Sequence, residues 1–186
     1  MAIEALVARY GLLAILAGAG IEGEAVVVTG GILAQKGLLP IWGVCAAAAV
    51  GSCLVDQLWF WLARRFRDHR WVRRVTRRPA FARALGWLER YPTSFILAFR
   101  FIYGLRTVSP VAIGTSAIPS RKFVLLNILA ACLWAPAVAW AGFAFGSAVG
   151  PWLHDIKSIA LFGLALVIAV PLLFLLVRAA RKAMAG

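Results

Sequence analysis

Five ionisable side chains stand in otherwise apolar sequence: Glu22, Glu24, Asp56, Arg100 and Arg106. At bilayer depth such a group costs about 2.5–3.5 kcal/mol on insertion scales, so each marks a place where pairing or chemistry must offset that cost. Arg100 and Arg106 close the stretch "RFIYGLR", six residues apart. Residues that share a face of a straight helix fall three or four apart, so these two converge only if the chain bends, as Gly104 between them allows. The guanidinium fork matches two phosphate oxygens and keeps its charge when desolvated, which suits the pair to holding an anion inside a membrane protein. Broken helices would aim backbone N–H groups at the same anion.

Glu22 and Glu24 flank Gly23. Two carboxylates this close discourage each other's ionisation, and partial burial adds to the effect, so the pair is a candidate for proton exchange and for coupling to a proton gradient. A pair facing water at the mouth of a hairpin is the alternative. Asp56 lies in "GSCLVDQLWFWLARR", about two turns before Arg64, and can pair with Arg64 or with a hairpin arginine. Three acids and two bases on separate segments offset one another if those segments meet. Purely structural pairing, or arginines snorkelling to the interface, would account for the same residues. His69 and His154 show no triad or metal-ligand spacing, so neither an enzyme nor a metal or cofactor is expected.

The elements that must position these groups follow from composition. The 186 residues are 63% hydrophobic with a mean hydropathy of +0.88, against about half apolar in a soluble domain. The chain is expected to be an all-α integral membrane protein forming a single domain over 1–186. The opening "MAIEALVARYGLLAILAGAG" lacks a basic n-region, so no cleaved signal is expected. Cys45, Cys53 and Cys132 sit in apolar runs and read as packing residues.

A spanning helix needs about 20 apolar residues. Residues 41–63, 123–146 and 159–177 qualify. The Gly-rich stretch before residue 41 and the stretch 94–119, with Pro110, Gly114 and Pro119, are apolar but interrupted. Basic loops set the orientation: Arg64–Arg90 and the tail "RAARKAMAG" belong in the cytoplasm, and counting back from the tail puts Arg121 and Lys122 there too. Residues 94–119 then begin and end on one side, and are too short and too broken for two crossings. We read them as a re-entrant hairpin, opposed by a first hairpin at about 20–39 that enters from the other face. The first half covers 1–63, the second 94–146, in the inverted-repeat order that places a transporter's site near the midplane.

The linker 64–92 carries ten of the twenty Lys and Arg residues. They alternate with Trp71, Phe81, Leu85 and Trp87, the pattern of an amphipathic segment resting on anionic lipid. The net charge of +13 therefore points to a membrane surface; nucleic acid is not expected as a partner. Small-residue runs such as "AAAAVGSC" permit close helix packing and a homodimer.

The order Arg100, Gly104, Arg106, Pro110, Gly114, Phe123, Asn127, Trp134 resembles the second-hairpin signature of the DedA family, the SNARE-associated or VTT-domain superfamily of membrane proteins. "GEAVVVTGGILAQKG" is similar to its acidic first hairpin through Glu24, and Gly51, Asp56, Phe60 and Arg64 to its Gly, Asp, aromatic and Gly-Arg stretch. Together these span roughly residues 18–146. The chain departs from the pattern at Tyr103, Val55 and Ala63, and lacks the usual Pro before the first-hairpin acid. The resemblance implies two opposed re-entrant hairpins and a carrier of undecaprenyl phosphate or phospholipid that depends on the proton-motive force. It also implies that Glu24, Arg100 and Arg106 are functional positions.

Joined to the residue-level reading, this predicts a proton-coupled flippase of the bacterial cytoplasmic membrane. Arg100, Arg106, Gly104, Tyr103 and Asn127 would bind the lipid, and Glu22, Glu24 and Asp56 would couple protons. A proton-coupled small-ion or oxyanion transporter, or a structural envelope protein, is the alternative.

Overall fold

The computed structural model describes residues 2–21, 23–67, 69–77, 79–102, 105–106 and 108–149. Glu22, Tyr103, Gly104 and the expected span 159–177 with its basic tail lie outside the described residues. Every regular element among the described residues is helical: α1 (Ala2–Ile21), α2 (Glu24–Gln35), α3 (Ile41–Arg65), α4 (Arg70–Thr76), α5 (Pro79–Arg90), α6 (Pro92–Ala98) followed by a 3₁₀ turn at Phe99–Phe101, α7 (Ser109–Thr115) and α8 (Ser120–Val149).

Among the described residues, α3 and α8 are the helices long and apolar enough to cross a membrane. At 1.5 Å per residue they measure about 37 and 45 Å, more than the roughly 30 Å of a bilayer core. They overlap the predicted stretches 41–63 and 123–146 and run a few residues past them.

The first interrupted segment doubles back. Gly18 lies against Val26 and Gly30 against Ile15, so α1 and α2 run antiparallel. The chain reverses at Gly23, whose φ of 73° is one that residues with a Cβ rarely adopt. Residues 20–39, where the hairpin was expected, hold the turn and the second arm; the first arm is α1. At the far end of α2, Gly37 (φ 75°) lets the Leu38 N–H reach the Leu33 carbonyl at 3.0 Å, and Pro40 then opens α3.

The halves interlock by crossing over. α1 packs on α3 and α6 on α8, each within its own half, while α2 packs on α8 and α7 on α3. Small residues permit this: a Cβ on Gly31 would run into the Ala139 carbonyl, one on Gly142 into the Val28 carbonyl, and one on Gly114 into Phe60. Backbones approach this closely only where side chains are missing. One apolar cluster, with Ile15, Val27, Val44 and Trp134, gathers α1, α2, α3 and α8; a second, with Phe60, Phe95, Phe99, Ile113 and Phe123, joins α3 to the linker, α6, the 3₁₀ turn, α7 and α8.

The basic linker departs from expectation. Its apolar face is turned onto protein: Phe81, Ala84 and Leu88 are buried in the second cluster, and Val72 packs with Ala63 and Val111. Amphipathic periodicity specifies that a face must be covered and leaves the cover unspecified. Here α6, the 3₁₀ turn and α7 supply it through Phe95, Phe99 and Ile113. Trp87 keeps the outward position predicted for lipid contact and is 51% exposed.

Candidate functional site

Charged residues of the interrupted segments and of α3 gather in two clusters. The outer one centres on Arg106. Its Nη2 donates to the Ala19 carbonyl at 2.6 Å, one of the last four carbonyls of α1, which have no partner within the helix. Its Nη1 faces Glu24 Oε1 at 3.4 Å, and the guanidinium lies 4.7 Å from the centre of the buried Trp134 ring. The reversal at Gly23 therefore sets the negative end of α1's dipole beside a cation, and Glu24 in the first turn of α2, where an acid is favoured. Gly23 has a second reason to lack a side chain: a Cβ there would overlap the Arg106 guanidinium.

This outer ion pair is loose. A charge-assisted N–H···O contact is about 2.7–2.9 Å when tight, and the Glu24 side chain is 36% exposed against 14% for Arg106. An arginine held by one good carbonyl contact, an aromatic face and one distant carboxylate can exchange that carboxylate for another oxyanion.

The inner cluster centres on Arg100 and is closed. Arg100 is 1% exposed. Its Nη2 sits 2.6 Å from Asp56 Oδ2 and donates to Asn127 Oδ1 at 2.8 Å, while Nη1 donates to Ser52 Oγ at 2.9 Å. Asn127 in turn donates from Nδ2 to the Cys53 carbonyl at 3.4 Å. One side chain from the 3₁₀ turn thereby ties α3 to α8. Asp56, which the sequence allowed to pair with Arg64 or with a hairpin arginine, pairs with Arg100.

Arg64 takes partners other than the acid expected for it. Its Nε donates to the Gly114 carbonyl at 3.2 Å, its Nη2 to the Ser116 and Ile118 carbonyls at 3.0 and 2.7 Å, and its Nη1 to Ser120 Oγ at 2.8 Å. It closes the C-terminal end of α7 and the loop into α8, with its guanidinium 4.6 Å from the Phe60 ring centre. A cation at a helix C-terminus is favourable, yet carbonyl partners carry no mark in sequence, where charge pairing looks only for acids. Trp134 beneath Arg106 belonged to the sequence signature without an assigned role; its position two turns after Asn127 on the same helix was the available signal.

The structure thus divides the predicted site residues. Arg106 and Glu24 meet in the outer cluster; Arg100, Asp56 and Asn127 meet in the inner one. Glu22, Tyr103 and Gly104 lie outside the described residues.

The family profile of the VTT domain matches residues 21–144, which contain both clusters. The chain is 35% identical over 158 residues to the inner membrane protein YohD of Escherichia coli, covering 85% of this chain and 82% of that protein. It is 25% identical over 144 residues to undecaprenyl phosphate transporter A of Bacillus subtilis, covering 75% and 71%. It is also 28% identical over 130 residues to the E. coli inner membrane protein YghB, covering 67% and 58%. No solved structure matches the chain.

Proposed function

The chain belongs to the VTT-domain, or DedA, family of membrane proteins, and we propose that it carries a lipid with a phosphate headgroup, undecaprenyl phosphate or a phospholipid, between the leaflets of the bacterial cytoplasmic membrane. In this reading the two interrupted segments enter the bilayer from opposite faces as re-entrant hairpins, and their meeting point at Arg106 is the headgroup site. The observation that carries it is the loose contact between Arg106 and Glu24. An arginine needs an oxyanion partner in a dry setting, and here the resident one is easily displaced. The relative named for undecaprenyl phosphate supplies the first lipid to test.

Apart from the O–H bond of a carboxyl group, the cycle makes and breaks no covalent bond. In the unloaded state Glu24 is ionised and faces Arg106. An arriving headgroup phosphate takes the guanidinium in bidentate fashion, and the released Glu24 carboxylate accepts a proton, with Glu22 as its neighbour in sequence. Loss of that proton on the other side returns Glu24 to Arg106 and expels the lipid. Lipid and proton occupancy are then linked, each altering the affinity for the other by the same factor. Arg100 acts through shape: with Asp56, Ser52 and Asn127 it holds the second hairpin against α3 and α8, and so sets where Arg106 can reach.

Native mass spectrometry of the purified protein with undecaprenyl phosphate, phosphatidylglycerol and phosphatidylethanolamine at two pH values tests this reading. We expect an anionic lipid, undecaprenyl phosphate or phosphatidylglycerol, to be retained selectively and in a pH-dependent way over zwitterionic phosphatidylethanolamine, and Arg106→Ala to abolish that preference. Retention unchanged in a well-folded Arg106→Ala protein sinks the assignment, and transport of a small oxyanion without lipid movement in vesicles would favour an ion carrier instead.

A further inference from the structure

Where α3 gives way to α4, the chain turns sharply enough for Trp71 to stack on Trp59, their ring centres 5.3 Å apart and their planes 21° from parallel. Together with Leu62, Phe66 and His69, these two indoles line an open pocket of ≈ 340 Å³. That volume lies within the roughly 300–1,000 Å³ of small-molecule sites. The pocket shares no residue with the Arg106 or Arg100 clusters. It is also an exception to the linker's behaviour: Val72, Phe81, Ala84 and Leu88 are buried against protein, whereas Phe66 is 49% exposed.

The sequence that carries the pocket is strongly basic. Between residues 64 and 78 the sequence places eight arginines against the single acid Asp68. Arg65, Arg67, Arg70, Arg73 and Arg74 are exposed, and the Arg65 guanidinium lies 5.7 Å from the Phe66 ring centre, at the edge of the pocket. Aromatic side chains at the end of a membrane-length helix sit where acyl chains meet headgroups. Clustered arginines just beyond them attract the negative charge of anionic lipid.

We propose that this elbow is a second lipid site, which seats one acyl chain of an anionic phospholipid on the Trp59–Trp71 pair and the headgroup phosphate on the surrounding arginines. The pairing of an apolar floor with a cationic rim selects this occupant over others. A neutral lipid leaves the arginines unanswered, and a water-soluble anion leaves the indoles exposed. The site does not depend on lipid transport, and its failure would leave the reading of Arg106 untouched. It gives the linker a lipid contact at one defined place, in exchange for the continuous membrane-facing surface that its periodicity suggested.

The test uses the full chain in detergent, with phosphatidylglycerol and phosphatidylcholine of identical acyl chains as probes, read by native mass spectrometry. We expect phosphatidylglycerol to be retained over phosphatidylcholine by about fivefold for each arginine engaged. Arg65→Gln, Arg67→Gln and Arg70→Gln in combination should erase that preference while leaving phosphatidylcholine retention unchanged. Trp71→Ala should lower retention of both lipids, and Trp71→Phe should restore it. A photoreactive phosphatidylglycerol should mark the peptide spanning residues 59–71, a readout on the wild-type protein that needs no variant to fold. Equal retention of the two lipids, adducts confined to α8, or a two-chain species that Trp71→Ala splits into single chains would each overturn the proposal.

Discussion

Arg100 and Arg106 leave the same short stretch of chain and arrive in opposite surroundings. Arg100 is sealed, with Asp56, Ser52 and Asn127 at 2.6–2.9 Å around it. Arg106 is held tightly by the Ala19 carbonyl at 2.6 Å and distantly by Glu24 at 3.4 Å, with part of both side chains accessible. Residue type alone would assign both arginines to one anion. Burial and partner distance separate them: a cation sealed from solvent with three side chains at short range is closed to a ligand, whereas one with a long, partly exposed ion pair can change partners. The arginine that joins the helices and the arginine we propose for the headgroup are thus neighbours in sequence and different in surroundings.

Truncating each arginine should affect the protein in opposite ways. Arg100→Ala leaves Asp56 buried without its partner, a loss of about 3–5 kcal/mol, and should appear as poor yield of folded protein and a large fall in thermal midpoint. The double variant Arg100→Met with Asp56→Leu removes both charges and should recover part of that stability. If Arg100→Ala is as stable as wild type, the inner cluster is not what joins the second segment to α3 and α8. Arg106→Ala should melt within a few degrees of wild type and lose headgroup binding by roughly 10- to 100-fold, the worth of a charge-assisted hydrogen bond. Equal damage to folding from both truncations would erase the distinction.

Gly23→Ala comes next. The positive φ and the overlap with the Arg106 guanidinium together predict a cost of about 1–3 kcal/mol in stability, with lipid binding reduced because the guanidinium is displaced. Binding unchanged in this variant would show that Arg106 does not need its present position. The smallest effect belongs to Trp134→Leu, which removes the aromatic face under Arg106 and keeps an apolar side chain. Expected is a drop of about 0.5–2 kcal/mol in headgroup affinity, read in the same titration, with the Arg100 cluster undisturbed.

Hydropathy made the long helices legible, because α3 and α8 each present a predominantly apolar stretch to a length criterion that needs no knowledge of neighbours. The first hairpin was harder to place. The glycines scattered through residues 11–37 look alike in sequence, and only Gly23 and Gly37 have positive φ; the others provide room for Leu39, Val26, Val55, Ile15 or the α8 backbone. The candidate charges were visible individually as ionisable groups in apolar surroundings. Their division into Arg106 with Glu24 and Arg100 with Asp56 was not, since any pairing balances the same total. Arg64, bound to carbonyls and a hydroxyl, lay beyond any search for opposite charge. The linker's periodicity announced a face to be covered, and the fold covered it with phenylalanines from the second segment.

The reciprocal fit of Gly31 under the Ala139 carbonyl and Gly142 under the Val28 carbonyl restricts how this molecule can move. Sliding α2 along α8 by one turn, about 5.4 Å, would replace Gly31 at the crossing by Val27 or Gln35, neither of which fits where a hydrogen atom fits now. A ratchet of one helix past the other is therefore barred, and the seam behaves as an axle. Rearrangement must turn about it, with the flexible points at Gly23 and Gly37 on either side of α2. A rotation of that kind carries Glu24, at one end of the short arm, through a wider arc than any residue near the seam, and Arg106 is what it swings away from.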